Sequence, residues 1–243
     1  VKAYDAILQV SDGIMVARGD LGVELPVTSV PPIQKRLVRG ARAAAKPVIV
    51  ATQMQESMIE SPVPTRAEVS DVATAIYEGA DAIMLSGETT VGKHPLRCIK
   101  YMDSIARATE PNPGLGFIKN LRKNSDKEHL AATAVELAES LGAKGIVVVT
   151  RHGVMANYVT NCHPASSPIF AFTNVGVTRR IMTLNRYVYP FKIEFSADPE
   201  ETMARAFAEL KDKVNYKSGD KVVVISDLLI DKDSVGIQIR YLP

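Results

Sequence analysis

Three short apolar runs in the first part of the chain constrain its fold more than any other feature. They lie in the segments DGIMVARGD (residues 12–20), KPVIVATQM (residues 46–54) and DAIMLSGET (residues 81–89), and each run ends in small or polar residues. The runs are continuous and do not alternate between apolar and polar positions, which is typical of parallel strands covered on both faces. They therefore predict three buried parallel strands with polar side chains at their carboxyl ends.

Helical patterns separate and follow the three runs. Residues 31–45 carry apolar positions at helical spacing, and residues 95–110 form an amphipathic pattern. Residues 65–79 open with Thr65, which Glu68 follows three residues later in a capping box. A strand–helix unit repeated three times predicts an α/β fold, either a (β/α)8 barrel or an open doubly wound sheet. Both folds bind ligands at the carboxyl ends of the strands, and three units cannot close a barrel by themselves.

A second α/β block follows a segment rich in Pro, Gly, Asn and Lys. We expect residues 1–110 to form the first domain, residues 111–128 a linker and residues 129–243 a second, smaller domain. In the second domain, the patterns predict a helix over residues 130–141, strands over residues 145–150, 168–173, 221–226 and 236–242, and further helices over residues 154–161, 177–184 and 199–215.

Composition and charge exclude several classes of function. The 29 basic and 27 acidic residues are mixed along the chain and leave a net charge of +2, so electrostatics gives no basis for binding nucleic acid or a membrane surface. No apolar run reaches the roughly 18 residues that a membrane helix requires. The only cysteines, Cys98 and Cys162, lie far apart in the sequence, and we therefore expect a reduced, cytoplasmic protein.

The polar residues at the three strand ends are the candidates for chemistry. Asp20 is flanked by Gly19 and Gly22, which leave room for a ligand to approach the backbone. A carboxylate in this place is a suitable ligand for a hard cation such as Mg²⁺. Thr52 and Ser86 hold the equivalent places after the next two runs, where hydroxyls can orient a small anionic substrate or relay a proton through water.

Each candidate has a simpler alternative. Asp20, Thr52 and Ser86 could cap local turns. Glu88 could tune the surroundings of Ser86, but its position is more typical of an exposed loop acid. The tripeptide Arg-Gly-Asp at residues 18–20 also occurs in adhesion loops, although these belong to secreted proteins. The residues alone leave these alternatives open.

Three motifs resemble the pyruvate kinase family in order and spacing. They are SDGIMVARGDLGVELP (residues 11–26), VIVATQMQESMIESPVPTRAEVSDVATAIYEGADAIMLSGET (residues 48–89) and GKHP (residues 92–95). The resemblance is dense over residues 1–107 and looser over the second block. It implies the last three units of a (β/α)8 TIM barrel followed by a smaller α/β C-terminal domain, and it disfavours the adhesion loop.

The resemblance also implies a reaction and a role for each candidate residue. The reaction is phosphoryl transfer from phosphoenolpyruvate to ADP, which gives pyruvate and ATP in glycolysis. Asp20 would be one of two protein carboxylates that bind Mg²⁺ (or Mn²⁺). The backbone at Gly19 and Asp20, with the Thr52 hydroxyl, would hold the substrate carboxylate. Ser86 would belong to a water network that passes a proton to the enolate, with Glu88 behind it.

Other functional groups of the family would lie upstream of residue 1. They are the catalytic lysine, the second metal carboxylate, a glutamate, and the residues that bind nucleotide and K⁺. We therefore expect the 243-residue chain to be inactive by itself and to belong to an active enzyme, a homotetramer like most of the family. The alternative is a naturally short, non-catalytic homologue that binds anions or regulates.

The second block departs from family members that a sugar bisphosphate activates. Where those members carry a phosphate cradle rich in Ser and Thr, this chain reads TRHGVMANY (residues 150–158). A later loop carries three aspartates within residues 227–233, and these would repel phosphate. We expect no fructose bisphosphate activation of the usual kind. Arg151 and Arg179 could bind another anion, and the alternative is that no effector binds.

Overall fold

The computed structural model describes residues 1–112, 114, 123, 125–226 and 236–243. The chain divides into two units, Val1–Leu121 and Arg122–Pro243. The aspartate-bearing loop at residues 227–233, which bears on the effector prediction, lies outside the described residues.

The first unit is built on a three-stranded parallel sheet in the order β1–β2–β3. Each strand lies within one of the predicted apolar runs: β1 spans Ile14–Ala17, β2 spans Val48–Ala51 and β3 spans Ala82–Met84. Ala17 pairs with Ala51, and Ala51 pairs with Met84, at the ends of the strands. The predicted parallel strands are confirmed, and their carboxyl ends lie side by side at one edge of the sheet.

Six helices lie in the described part of this unit. They are α1 (Tyr4–Val10), α2 (Arg18–Glu24), α3 (Val30–Ala43), α4 (Arg66–Glu78), α5 (Gly87–Thr90) and α6 (Pro95–Thr109), with short 3₁₀ turns at Val27–Ser29 and Glu56–Ile59. The predicted helices correspond to α3, α4 and α6, with ends that differ by one or two residues. Helix α2 begins directly after β1, so the candidate residues of the first strand end lie in its first turn.

Helices α3 and α4 fix the sheet through their apolar faces. Val38 and Ala41 of α3 and Val72 and Ala75 of α4 are fully buried, as is Val50 of the central strand, and all five belong to one cluster. Burial of each large apolar side chain contributes roughly 1.5–3 kcal/mol. This packing holds the strands, and therefore their carboxyl ends, in a fixed register.

The second unit is built on a five-stranded sheet in the order β6–β5–β4–β7–β8, with only β8 antiparallel to its neighbour. The strands are β4 (Ile146–Val149), β5 (Ile169–Thr173), β6 (Val188–Lys192), β7 (Lys221–Ser226) and β8 (Gly236–Tyr241), and the helices are α7 (Asp126–Ser140), α8 (Val154–Asn161), α9 (Gly176–Met182) and α10 (Pro199–Val214).

Helices cover both faces of this second sheet. Ile146 and Val148 of β4 pack in a core with residues of α7, α8 and α9. Val147 and Val149 of the same strand point to the other face, where they pack in a core with residues of α10. Since side chains alternate between the faces of a strand, an apolar core on each face explains why the sequence of β4 is apolar at every position.

Two elements of the second unit differ from the prediction. Strand β6 was not predicted, because its sequence VYPFK contains Pro190, which argues against a strand. Pro190 is tolerated because β6 lies at the edge of the sheet. Helix α7 begins at Asp126, inside the predicted linker, with a capping box between Ser125 and Glu128.

Two further findings concern the whole described chain. Cys98 is buried and Cys162 is partly buried, and neither forms a disulfide bond within the described residues. Across the residues that the structure describes, no helix is both long enough and apolar enough to cross a membrane.

The capping box predicted at the start of α4 is confirmed, and it extends further than predicted. Glu68 accepts hydrogen bonds from the Thr65 backbone N–H at 2.7 Å and hydroxyl at 2.9 Å. It also accepts bonds from the Ser57 backbone N–H at 2.7 Å and hydroxyl at 2.6 Å. Partial burial raises the pKa of Glu68, but the hydrogen bonds from Ser57 and Thr65 lower the pKa by more, so that it lies below its ordinary value. The carboxylate therefore joins α4 to the 3₁₀ turn after β2.

We expect Glu68→Gln to lower the free energy of unfolding near pH 7 by about 1–2 kcal/mol, since an amide cannot accept all four bonds. A lowered folded-state pKa stabilises the protein above the ordinary value of 4.5 and loses its effect as the pH falls through the folded-state pKa. The difference between the variant and the parent should therefore shrink below pH 5. Thermal unfolding from pH 7 to pH 3 measures this, with Glu24→Gln as an exposed control. A difference that does not change with pH would contradict the assignment.

The sheet of the first unit predicts how that unit behaves alone. Strands β1 and β3 lie at its edges, each with one neighbour in the described chain. Met15 of β1 is 49% exposed, and an apolar edge without blocking residues promotes association. We expect residues 1–121 alone to bind a hydrophobic dye and to aggregate. Residues 122–243, with a core on each face of the sheet, should unfold cooperatively. Cooperative unfolding of 1–121 as a dye-free monomer would contradict this.

Candidate active site at the carboxyl edge of the first sheet

The register of the first sheet brings the predicted site residues to one edge. Because Ala17, Ala51 and Met84 lie opposite one another, the segments that follow them leave the sheet together. Gly19 and Asp20 follow β1, Thr52 follows β2, and Ser86 and Glu88 follow β3. The shared edge is what the strand–helix repeat predicted.

Gly19 and Thr52 are in direct contact. The Gly19 backbone N–H donates to Thr52 Oγ1 at 2.8 Å, and the Thr52 hydroxyl donates to the Ala51 carbonyl at 2.6 Å. Thr52 therefore contacts the first turn of α2 from the neighbouring strand, a non-local contact that differs from the local cap considered for it. To donate to a ligand instead, the hydroxyl proton has to turn away from Ala51.

The backbone at Thr52 and Gln53 adopts a conformation that is unusual for residues with side chains. Their φ angles are 71° and 54°, both in the left-handed region. This region costs about 1–2 kcal/mol per residue for L-amino acids other than glycine. Two such residues in succession persist only where surrounding contacts hold them, and strained backbone of this kind is concentrated at functional sites.

Arg18 supplies the contacts that hold this strained segment. Its Nε and Nη2 donate to the Thr52 carbonyl at 3.1 and 2.6 Å, and Nη2 also donates to the Gln53 carbonyl at 3.0 Å. On the other side, Nη1 donates to Asp71 at 2.6 Å. The Arg18 side chain is only 7% exposed. The buried guanidinium thus donates hydrogen bonds to two backbone carbonyls on one side and to a carboxylate of α4 on the other.

A second layer of polar residues lies behind Arg18. Its Nη1 is 3.5 Å from Gln34 Oε1, and Gln34 Nε2 donates to Glu78 at 2.8 Å. Gln34 and Glu78 are both buried, and burial raises the pKa of Glu78 above its ordinary value. Arg18 was not among the residues predicted to act in the site. The sequence signal that could have indicated its role is a cation directly after a buried strand. An unpaired charge in such a buried position raises the free energy of the folded state, so a partner is expected.

Asp20 is the exposed acid of the site. It lies in the first turn of α2, whose N-cap is Ala17 and has no side-chain cap, so the capping alternative for Asp20 is wrong. Within the described residues, no group of three or more His, Cys, Asp or Glu side chains is arranged to hold a metal. Asp20 thus offers one hard oxygen ligand. This fits Mg²⁺, which usually takes one or two carboxylates and completes its octahedron with substrate oxygens and water.

Glu88 is not an exposed loop acid, and that interpretation is wrong. Its side chain is 2% exposed, and its two carboxylate oxygens accept from the Gln55 N–H at 3.1 Å and from the Ser86 N–H at 2.7 Å. Glu88 therefore joins the segments that follow β2 and β3. Burial and the nearby Glu88 carboxylate raise the pKa of the Cys98 thiol, which lies 3.6 Å from the Glu88 carbonyl.

Ser86 follows the third strand, and its side chain is half-buried. It stands at the N-cap of α5, but its side chain makes no capping hydrogen bond, so the capping alternative for Ser86 is wrong. Its backbone is fixed by Glu88. The hydroxyl has no hydrogen-bond partner within the part of the chain that the structure describes, which leaves it able to bind a ligand or water.

The two arginines predicted to bind an effector anion lie in the second unit. Arg151 follows β4, and Arg179 lies on α9. Both side chains are exposed.

Two family models match the chain. The model described as "Pyruvate kinase, barrel domain" matches residues 1–99, and the model described as "Pyruvate kinase, alpha/beta domain" matches residues 128–234. The first match includes the whole candidate site, and the second includes strands β4–β7.

Relatives and a solved structure agree with these matches. The chain is 45% identical to "Pyruvate kinase isozyme G, chloroplastic" of Ricinus communis over 90% of this chain and 53% of the relative. It is 42% identical to "Pyruvate kinase" of Thermotoga maritima over 93% of this chain and 48% of the relative. A crystal structure of a pyruvate kinase from Cryptosporidium parvum matches with a TM-score of 0.89 and 33% identity, over 99% of this chain and 49% of that one.

The chain thus spans about half the length of these relatives. Its predicted fold, the last part of a (β/α)8 barrel followed by a smaller α/β domain, is confirmed by the two family matches and the two sheets. On these grounds the chain belongs to the pyruvate kinase family.

Proposed function

We propose that this chain is the C-terminal part of a pyruvate kinase that transfers a phosphoryl group from phosphoenolpyruvate to ADP and gives pyruvate and ATP in glycolysis. The observation that carries the proposal is the meeting of Asp20, Thr52 and Ser86 at one sheet edge in a chain of this family. Each of the three supplies an oxygen suited to a small, highly charged substrate and its cation.

Asp20 is proposed as the metal ligand of this chain. Mg²⁺ (or Mn²⁺) bound there would neutralise charge on the phosphoryl group and on the substrate carboxylate. The exposed carboxylate of Asp20 is accessible to such an ion without breaking any hydrogen bond among the described residues.

Gly19, Asp20 and Thr52 are proposed to hold the substrate carboxylate. Thr52 is fixed by Arg18, and its hydroxyl lies beside the Gly19 N–H. When a carboxylate oxygen takes the place of the Ala51 carbonyl as acceptor, the Thr52 proton turns toward it. The backbone does not have to move for this exchange. The geometry of the site is therefore already formed on folding, and substrate binding does not have to supply the free energy to organise it.

Ser86 and Glu88 are proposed to deliver the proton that converts enolpyruvate to pyruvate. The free Ser86 hydroxyl would hold a water molecule or relay its proton. The buried Glu88 carboxylate accepts the Ser86 and Gln55 N–H groups, and it therefore positions Ser86 without contacting substrate.

Several parts of the proposal concern residues outside this chain. The catalytic lysine, the second carboxylate and the K⁺ ligands would lie in the barrel strands that precede residue 1. The chain alone is then inactive, and the complete enzyme is a homo-oligomer, a tetramer by family resemblance. A cytoplasmic location remains part of the proposal, while several relatives carry the word chloroplastic in their names.

We expect Asp20→Asn to lower kcat/KM of the complete protein by about 100-fold or more, the scale on which one preorganised electrostatic contact acts. The substitution keeps the shape of the side chain and removes its charge. A coupled assay of pyruvate formation measures the effect, and Asp12→Asn, an exposed change just before β1, is the control. Full activity of Asp20→Asn would contradict the metal assignment. An inactive complete protein would favour the non-catalytic alternative.

We expect Arg18→Lys to raise KM for phosphoenolpyruvate by about tenfold or more while KM for ADP changes little. Lysine has no fork that reaches both carbonyls and Asp71, and a lost bond to a charged group costs about 1.5–3 kcal/mol. Steady-state kinetics with each substrate measure the two constants, and the exposed Arg97→Lys is the control. An equal rise in both constants would indicate a general distortion of the active site and would contradict a specific role through Thr52.

A further inference from the structure

A polar side chain lies buried among methionines just behind the candidate site, and the proposed reaction gives it no role. Gln55 follows β2 and precedes the 3₁₀ turn Glu56–Ile59, with Met54 before it and Met58 within the turn. All three side chains are fully buried. Burial of an amide raises the free energy of the folded state unless its two ends find hydrogen-bond partners. The contacts of Gln55 should therefore explain why a glutamine occupies this position.

The side-chain amide of Gln55 bonds to one turn of helix α6. Its Nε2 donates to the Cys98 carbonyl at 3.1 Å, and its Oε1 accepts from the Met102 N–H at 3.3 Å. These partners fix the orientation of the amide, since the opposite orientation would place donor against donor and acceptor against acceptor. Both partners are backbone groups, and they lie about one helical turn apart. Gln55 therefore holds the segment after β2 against α6 at two points.

The backbone of Gln55 holds a second buried group. Its N–H donates to one carboxylate oxygen of Glu88 at 3.1 Å, and the other oxygen accepts from the Ser86 N–H at 2.7 Å. Because Glu88 is 2% exposed, these N–H donors take the place of water around its charge. The Cys98 thiol lies 3.6 Å from the Glu88 carbonyl oxygen, so the same turn of α6 also contacts Glu88. These contacts connect α6 to Gln55, Gln55 to Glu88 and Glu88 to Ser86.

We propose that Gln55 is a positioning residue for the proton transfer assigned to Ser86. This inference rests on the proposed function, in which Ser86 and Glu88 deliver the proton to enolpyruvate. Gln55 is fully buried and acts only through Glu88. Its amide fixes it against α6, its N–H fixes the Glu88 carboxylate, and that carboxylate fixes the backbone of Ser86. An apolar side chain of similar length would fill the same space without bonding to α6.

This series of contacts leads to the third strand end, whereas the other strand ends hold the substrate in the proposed reaction. Thr52 is fixed by Arg18 and bonds to Gly19. Loss of the Gln55 amide should therefore slow proton transfer more than it weakens substrate binding. Proton transfer can be observed by itself. In reverse, the step removes a proton from the methyl group of pyruvate and leaves the enolate, which then takes a deuteron from heavy water.

NMR of pyruvate in heavy water with ATP and Mg²⁺ measures this exchange on the complete protein. Gln55→Met keeps the length of the side chain and removes both polar ends. It should lower the exchange rate by about tenfold, a part of the roughly 10²–10⁴-fold that positioned proton transfer contributes. The KM for phosphoenolpyruvate should change little. Gln55→Leu is a second variant with the same loss. Met58→Leu alters packing in the same turn and should keep the parent rate.

A second comparison separates positioning from general stability. In a protein that already carries Ser86→Ala, Gln55→Met should have little further effect, because both changes act on one step through one hydroxyl. An equal loss with and without Ser86→Ala overturns the proposal. So does an unchanged exchange rate in a variant whose thermal unfolding shows that it is folded, or a parallel rise in KM for both substrates.

The parent protein distinguishes failure of this inference from failure of the proposed function. A complete parent that forms no pyruvate would refute the proposed function, and the role of Gln55 with it. A parent that forms pyruvate and exchanges its methyl protons, beside Gln55 variants that do so at the same rate, would refute the role of Gln55 alone.

Discussion

The candidate site at the carboxyl edge of the first sheet depends on the hydrogen bonds of one buried cation. Arg18 satisfies the carbonyls of Thr52 and Gln53, which lie in a left-handed conformation that these side chains disfavour. That conformation brings the Thr52 hydroxyl against the Gly19 N–H and so joins the first two strand ends. The charge of Arg18 is balanced by Asp71 of α4, so helix packing on the sheet also fixes the geometry of the site.

A buried anion performs the corresponding task at the next strand end. Glu88 accepts backbone N–H groups from Gln55 and Ser86, and so it joins the segments after β2 and β3. Both buried charges therefore act on backbone, while Asp20 is exposed and the Ser86 hydroxyl has no hydrogen-bond partner among the described residues. This division has a physical basis. A buried charge requires compensation and is best used to hold structure, whereas an exposed carboxylate exchanges water for a cation at little cost.

Structural elements that depend on neighbouring residues could be predicted from the sequence. Features that depend on contacts between distant residues could not. The apolar runs gave the strands, and the Thr65–Glu68 spacing gave the start of α4, because these signals lie within a few residues. The burial of Glu88 and the pairing of Arg18 with Asp71, 53 positions away, depend on the tertiary fold. Strand β6 was missed because Pro190 opposes a strand in general, and only its edge position makes it acceptable.

The edge strands of the two sheets differ in the residues that hinder pairing with another strand. At the β6 edge, Pro190 and Lys192 hinder pairing with another strand. The described β1 and β3 carry no proline or charged residue, and each has an unpaired side. Parallel strands are stable where neighbours and helices cover them, so β1 and β3 are suited to a larger sheet. The family match to a barrel domain explains this need, because a closed barrel has no edges. In such a barrel the ends of these strands would form one sector of a ring.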